Sequence, residues 1–151
     1  MVLSQRGLKI LIAGGASDSH SWNLVFLELL LAECGHRVVN LGPCVSAALL
    51  LRECRAHAPE LVVVSSVNGH GYRDGLSVIG GLRADPALAC VPVVIGGKLG
   101  LEGVRDEAAA QRLIAAGYTA VFDDADLSAF LDSVSCLADR GRCGVSSRCA
   151  P

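Results

Sequence analysis

Leu8-Lys9-Ile10-Leu11-Ile12-Ala13-Gly14-Gly15-Ala16-Ser17-Asp18-Ser19-His20-Ser21-Trp22 decides how this chain is read. The first six residues are an apolar run suited to a buried strand, and a long apolar helix is expected from near Asn23. The loop between them holds Asp18 and His20 two positions apart. Open α/β sheets place their ligands at the carboxyl ends of parallel strands, which is where such a loop would lie. A carboxylate that accepts a hydrogen bond from one imidazole nitrogen leaves the other nitrogen as a lone-pair donor. That arrangement prepares a histidine to ligate a metal.

The rest of the chain repeats the strand–helix alternation. The first helix closes at Cys34 before Gly35, and Arg37–Leu41 reads as the second strand, ended by Gly42-Pro43. Ser46 is placed to cap a helix running to about His57, which Pro59 terminates. Glu60–Ser66 contains Leu61-Val62-Val63-Val64, the clearest buried strand in the sequence. The loop Asn68-Gly69-His70-Gly71 leads to a helix over about Asp74–Ala84. A fourth strand, Val91–Ile95, ends in Gly96-Gly97, and Asp106–Ala116 reads as a helix stopped by Gly117. Ala120–Phe122 is a short fifth strand. The last helix carries Leu127, Phe130, Leu131, Val134 and Leu137 on one face, with Asp126 near its start.

Continuous rather than alternating apolar strands, each followed by a helix, argue for a parallel sheet covered on both faces. The expected fold is α/β, a single doubly wound, five-stranded parallel sheet of the flavodoxin-like or Rossmann-like kind. The first helix is apolar nearly all round, over Leu24–Leu27 and Leu29–Ala32. Such a helix is either deeply buried or covers a bulky ligand or partner, and burial is the expectation from periodicity.

Length and composition bound the function. The 151 residues suit one domain, taken as residues 1–139 with a flexible Gly/Ser/Arg/Cys tail at 140–151. A formal net charge of −2 supplies no electrostatic reason to expect nucleic acid or an anionic membrane as partner. The longest apolar run is interrupted by Glu28, short of a membrane span, and Met1–Gly7 is too short and polar for a signal peptide. A cytoplasmic protein is expected. Seven cysteines are read as free thiols, with Cys34, Cys54 and Cys136 in apolar helical patterns and no zinc spacing at Cys143 and Cys149. His36 and His57, at element ends, are expected at the surface, and His70 in a solvated loop.

In a doubly wound sheet the loops after strands one, three and four meet at one edge. Here they carry Ser17, Asp18 and His20, then Ser65, Ser66 and Val67, then Gly96 and Gly97. Ser65 can offer a hydroxyl to a polar ligand atom, and the paired glycines leave bare backbone against which a flat group can lie. The pattern Asp-x-His, then Ser-x-Val, then Gly-Gly resembles the Asp-x-His-x-x-Gly, Ser-x-Leu and Gly-Gly motifs of cobalamin-binding domains. The likeness spans about residues 8 to 137. It is particularly similar to the small subunits of glutamate mutase (methylaspartate mutase).

The resemblance implies adenosylcobalamin as cofactor, with His20 as the metal ligand in place of the cofactor's own dimethylbenzimidazole. It further implies Asp18 as the partner orienting that histidine, Ser65 and Val67 as contacts to the displaced base, and Gly96 and Gly97 as the lining of the nucleotide slot. The activity implied is that of an isomerase subunit, inactive without a separate barrel-shaped catalytic large subunit that binds the substrate. Association with a second copy of the chain is left open. Three positions depart from the motifs: Asn23 stands for the last glycine behind a bulky Trp22, Val67 for leucine, and Asp123-Asp124-Ala125-Asp126 for a small loop. Asn23 is expected to keep the turn, because asparagine tolerates positive φ, at the loss of a glycine's clearance.

Two other readings use the same site. A methyl-carrying corrinoid protein would resemble this domain with a helical bundle in front, whereas only Met1–Gly7 precede strand one. A non-enzymatic module that senses cobalamin, or has lost it, is suggested by Trp22, Asn23 and the acidic loop. A dinucleotide fingerprint is not supplied by Gly14-Gly15-Ala16-Ser17-Asp18, a receiver's strand-three aspartate is replaced by Ser65-Ser66, and there is no Gly-x-Ser-x-Gly elbow.

Overall fold

The computed structural model describes residues 6–100, 106–122 and 126–140. Five helices and five strands alternate: β1 Lys9–Gly14, α1 Trp22–Glu33, β2 Arg37–Asn40, α2 Ala47–His57, β3 Leu61–Ser66, α3 Gly71–Ala84, β4 Val93–Gly97, α4 Glu107–Ala116, β5 Ala120–Val121 and α5 Leu127–Arg140. All strand pairs are parallel, in the order β2-β1-β3-β4-β5. This is the doubly wound, flavodoxin-like α/β sheet expected from the continuous apolar strands.

Alternate strand residues feed two cores, one on each face. Leu11, Ala13, Val62, Val64, Val93 and Ile95 pack with Leu50 and Cys54 of α2, Val78, Ile79 and Leu82 of α3, and Leu113 of α4. Ile10, Ile12, Leu61, Val63 and Val94 pack with Leu24 and Leu31 of α1 and with Phe130, Val134 and Ala138 of α5. Both faces being covered, the strands need apolar residues at every position, so their runs are unbroken.

Local chemistry sets several boundaries. The Ser46 hydroxyl accepts the Leu49 N–H to cap α2, and the Asp106 carboxylate accepts the Ala109 N–H to cap α4. α3 begins at Gly71, nearly a turn earlier than expected, with His70 at its N-cap making no side-chain capping bond. Gly96 and Gly97 lie inside β4 rather than after it. On α5 the buried stripe is Phe130, Val134 and Ala138, while Leu127 is exposed.

Three expectations are corrected. α1 is not engulfed: Leu24 and Leu31 are buried, but Trp22, Val25, Phe26 and Leu29 are 49–65% exposed. A helix lying on one face of a sheet buries only one stripe, and nothing among the described residues covers the opposite one. His36 is buried, not at the surface, and its Nδ1 accepts the Leu8 N–H at 3.1 Å, tying the start of β1 to the turn after α1. Cys34, Cys44, Cys54 and Cys136 are free thiols, but Cys90 is disulfide-bonded, so the thiols are not all free. The tail beyond Arg140, with Cys143 and Cys149, and Asp123, Asp124 and Ala125 of the acidic loop lie outside the described residues.

Candidate functional site

Strand register brings the site together. Gly14 of β1 pairs with Ser65 of β3, and Ser65 pairs with Gly96 of β4, so three strands end on one line. The chain winds from β1 outward to β2 on one side and from β3 outward to β4 and β5 on the other. The loops after β1 and β3 therefore part at a switch point, the usual place for a ligand crevice in such sheets.

Asp18 closes that point. It is 1% exposed, and its carboxylate accepts four N–H groups. Oδ1 takes the His20 backbone N–H at 3.0 Å and His20 Nδ1 at 2.8 Å. Oδ2 takes the N–H groups of Val67 at 2.7 Å and Asn68 at 3.3 Å, which joins the β1 loop to the β3 loop. Burial by itself would raise the Asp18 pKa, but the backbone N–H groups of Val67 and His20, the His20 ring and the Asn68 N–H together outweigh it, leaving the carboxyl below its ordinary value. An ionised carboxylate only accepts, so His20 Nδ1 carries the proton and Nε2 holds the lone pair. The His20 side chain is 48% exposed. The site thus presents one exposed nitrogen donor on a buried, fully bonded anchor.

The loop carrying this pair is held by groups that sequence reasoning did not assign. Asp74 of α3 accepts Ser17 N–H at 3.0 Å and Ser17 Oγ–H at 2.6 Å. Asn68 donates from Nδ2 to the Ser17 carbonyl at 2.9 Å, while its Oδ1 accepts the His70 N–H. Cys44, at φ +55° in the loop after β2, donates its N–H to the Asp18 carbonyl. These partners lie 26 to 57 residues away along the chain, beyond any local pattern. The one available signal was the polar character of Asn68 and Asp74 at the predicted ligand edge.

Beside the pair opens a cleft of about 200 Å³ between α1 and the start of α5. Trp22, Asn23 and Phe26 of α1 line it with Ser65, Val67, Gly96, Gly97, Phe122 and Phe130. Of the expected residues, Ser65, Val67, Gly96 and Gly97 reach the cleft. Ser66 does not: it is wholly buried, its Oγ lies 3.2 Å from Asn68 Oδ1, and its side chain faces Gly71 of α3. Ser17 belongs to the loop anchor rather than to the cleft. His70 is exposed, as expected.

The two glycines do different things. Gly97 has φ +95°, and a Cβ there would run into the Ser66 carbonyl, so the chain itself requires glycine. A Cβ at Gly96 would meet Phe122 at 3.4–3.5 Å, ordinary contact, so the bare backbone there keeps the cleft wall flat. Asn23 keeps no positive-φ turn; it sits in the first turn of α1, and positive φ among described non-glycine residues occurs at Cys44 and Ala58. Its side chain points instead to β3, where Nδ2 donates to Ser65 Oγ at 2.8 Å.

A buried carboxylate orienting a half-exposed imidazole thus stands next to an apolar cleft at the switch point of a doubly wound sheet, the usual place for a ligand in this fold class. The chain belongs to the B12-binding domain family, whose model matches residues 8–123. It is 30% identical over 126 residues to the glutamate mutase sigma subunit of Halobacterium salinarum, covering 82% of each chain. Among solved structures it is similar to a novel cobalamin-binding protein from Desulfitobacterium hafniense, with TM-score 0.63, 21% identity, and coverage of 91% of this chain and 59% of that one. It is also similar to the receiver domain of a Francisella response regulator, with TM-score 0.68, 16% identity, and coverage of 89% of this chain and 99% of that one. The last two likenesses concern the fold, which receivers share, and only the site separates the two uses.

The residues present fit a cobalamin. His20 offers the lone pair a cobalt needs, and the cleft is apolar and flat-walled where a nucleotide base would lie. Asn23, one of the residues lining it, carries a buried acceptor, Oδ1, that has no partner among the described residues. No described helix is long and apolar enough to cross a membrane.

Proposed function

We propose that this chain is the cobalamin-binding small subunit of an adenosylcobalamin-dependent carbon-skeleton mutase of the glutamate mutase kind. In this reading His20 Nε2 would hold the cobalt, and the cleft beside Ser65 would hold the base of the cofactor's nucleotide tail. The observation that carries it is the Asp18–His20 pair: a 1%-exposed carboxylate whose bond to Nδ1 fixes the tautomer and leaves Nε2 outward. The 30% identity to a glutamate mutase sigma subunit supports the choice among cobalamin chemistries.

When bound, adenosylcobalamin supplies the organic radical by homolysis of its cobalt–carbon bond. The chain's own groups do the positioning. Asp18 holds the His20 proton on Nδ1, so the ring neither turns nor changes tautomer. Val67 and Asn68, by donating to Asp18, couple the β3 loop to that anchor. Gly96, Phe122 and Phe130 provide the apolar wall that excludes water from the tail. The substrate is bound by a separate large subunit, and the exposed apolar residues Val25 and Leu29, continuing the α1 face beyond the cleft, support a protein partner on that side. The cofactor-binding site so proposed has His20 as its one metal ligand, Asp18 and Ser17 in the loop that holds it, and Ser65, Val67, Gly96 and Gly97 along the cleft, with Ser66 in the loop beneath.

The test is electron paramagnetic resonance of the cobalt(II) form on protein carrying nitrogen-15 histidine, wild type beside His20→Ala. The expected result is a splitting that changes with the isotope and is lost in the variant. A splitting indifferent to histidine labelling removes axial ligation from the proposal. Retained ligation without mutase activity beside a glutamate mutase large subunit makes the chain a carrier or sensor instead.

A further inference from the structure

We propose that Asn23 and Ser65 together read the base of the corrinoid's nucleotide tail, and favour one with a hydrogen-bond donor beside an acceptor, an aminopurine, over dimethylbenzimidazole. The inference rests on the functional reading above and concerns a position where the family motif has glycine. The Asn23 side chain is 6% exposed and lines the cleft. Its Nδ2 donates to the Oγ of Ser65, a residue also 6% exposed, at 2.8 Å. Two consequences follow from that one bond. Ser65 uses its oxygen as acceptor toward Asn23, which frees its O–H to donate to a ligand. Asn23 Oδ1 is buried and unpartnered among the described residues, an acceptor that is costly to leave unmet in a ligand-filled cleft.

The pair therefore offers one donor and one acceptor, side by side, to whatever enters. Dimethylbenzimidazole linked through one ring nitrogen has a single free acceptor nitrogen, and the rest of its edge is carbon and methyl. It can take the Ser65 proton but gives Oδ1 nothing. An aminopurine carries an exocyclic amine next to a ring nitrogen and meets both groups. Amides read adenine by the same donor–acceptor complementarity in other settings. Glycine at position 23 would have neither the acceptor nor the bond that orients Ser65.

The experiment compares three ligands with the same upper group: a cobamide with an adenine base, one with dimethylbenzimidazole, and cobinamide, which has no base. Binding to the full chain is followed by the fluorescence of Trp22, the one tryptophan, which lines the cleft. Wild type is expected to bind the adenine form roughly 10-fold or more tightly than the dimethylbenzimidazole form, the discrimination of one unmet buried acceptor. In Asn23→Gly the ratio should fall to near one. Equal affinities in wild type, or a preference that persists in Asn23→Gly, overturn the inference while leaving His20 ligation standing. A preference for dimethylbenzimidazole would mean that the amide is turned the other way, donating to the base, and overturns it too. Failure of all three ligands to bind overturns the functional reading and this inference with it. The wild-type ratio decides the matter even where Asn23→Gly does not fold.

Discussion

Asp18→Asn changes one atom and should separate the structural and ligating roles of this carboxylate. Hydrogen bonds to a charged acceptor contribute roughly 1.5–3 kcal/mol each, and neutral ones roughly 0.5–1.5. The amide oxygen can keep the Val67 N–H, now at neutral strength, a loss of about 1 kcal/mol. The amide nitrogen must then face the His20 backbone N–H, donor against donor, which forfeits a further 1.5–3 kcal/mol or so. The Asn68 bond, at 3.3 Å, and the half-exposed ring bond add little, since water can replace the latter. The total is about 3 kcal/mol, to be read as a lowered urea midpoint of the cofactor-free chain.

The same substitution reverses the imidazole. An amide N–H beside Nδ1 requires Nδ1 to accept, so the proton moves to Nε2 and the outward lone pair is lost. Cobalamin affinity should fall by roughly 10- to 100-fold, the usual cost of removing a metal ligand's orienting partner. The sign of the pH effect follows from the depressed Asp18 pKa. A carboxyl whose folded pKa lies below its unfolded value stabilises the fold above the unfolded pKa, and that stability is lost as pH falls through the folded one. The gap between wild type and Asp18→Asn should thus be full at neutral pH and close below about pH 4. An Asp18→Asn protein that binds cobalamin as tightly as wild type, with the same histidine splitting, would refute the tautomer argument outright.

Two further predictions concern the frame. Burial lowers the His36 pKa, so the unfolded chain takes up a proton that the folded one refuses; wild-type stability should fall as pH drops through about 6.5, and His36→Asn, whose oxygen can still accept the Leu8 N–H, should lose that slope in urea titrations at several pH values. Gly97→Ala places a Cβ against the Ser66 carbonyl at φ +95° and should destabilise by roughly 3 kcal/mol, read as a fall in the urea midpoint; an unchanged midpoint would mean that β4 can shift away from β3.

The strands were legible because their burial on both faces demands unbroken apolar runs, and Leu61-Val62-Val63-Val64 satisfies that demand without reference to any neighbour. The cap at Ser46 was legible for a similar reason, being settled within four residues, whereas Asp106, read as the first residue of its helix, caps it instead. Asp18 and His20 could be singled out because they stand two positions apart in one loop and their bond is local to it. Burial of α1 was misjudged because an apolar composition carries no record of which side the sheet covers. His36 was misplaced because its partner, the Leu8 N–H, lies 28 residues earlier.

Local chemistry in the sequence thus determined the alternation of elements, the doubly wound class and the histidine to watch. Tertiary structure alone decided that Gly14, Ser65 and Gly96 end on one line, that Asp18 spends two bonds on the β3 loop, and that Asn23 turns to Ser65 instead of making a turn. Those are contacts between residues 42 to 50 apart or registers between separate strands. Their energy depends on where the packed sheet brings distant groups, and no short-range periodicity encodes that.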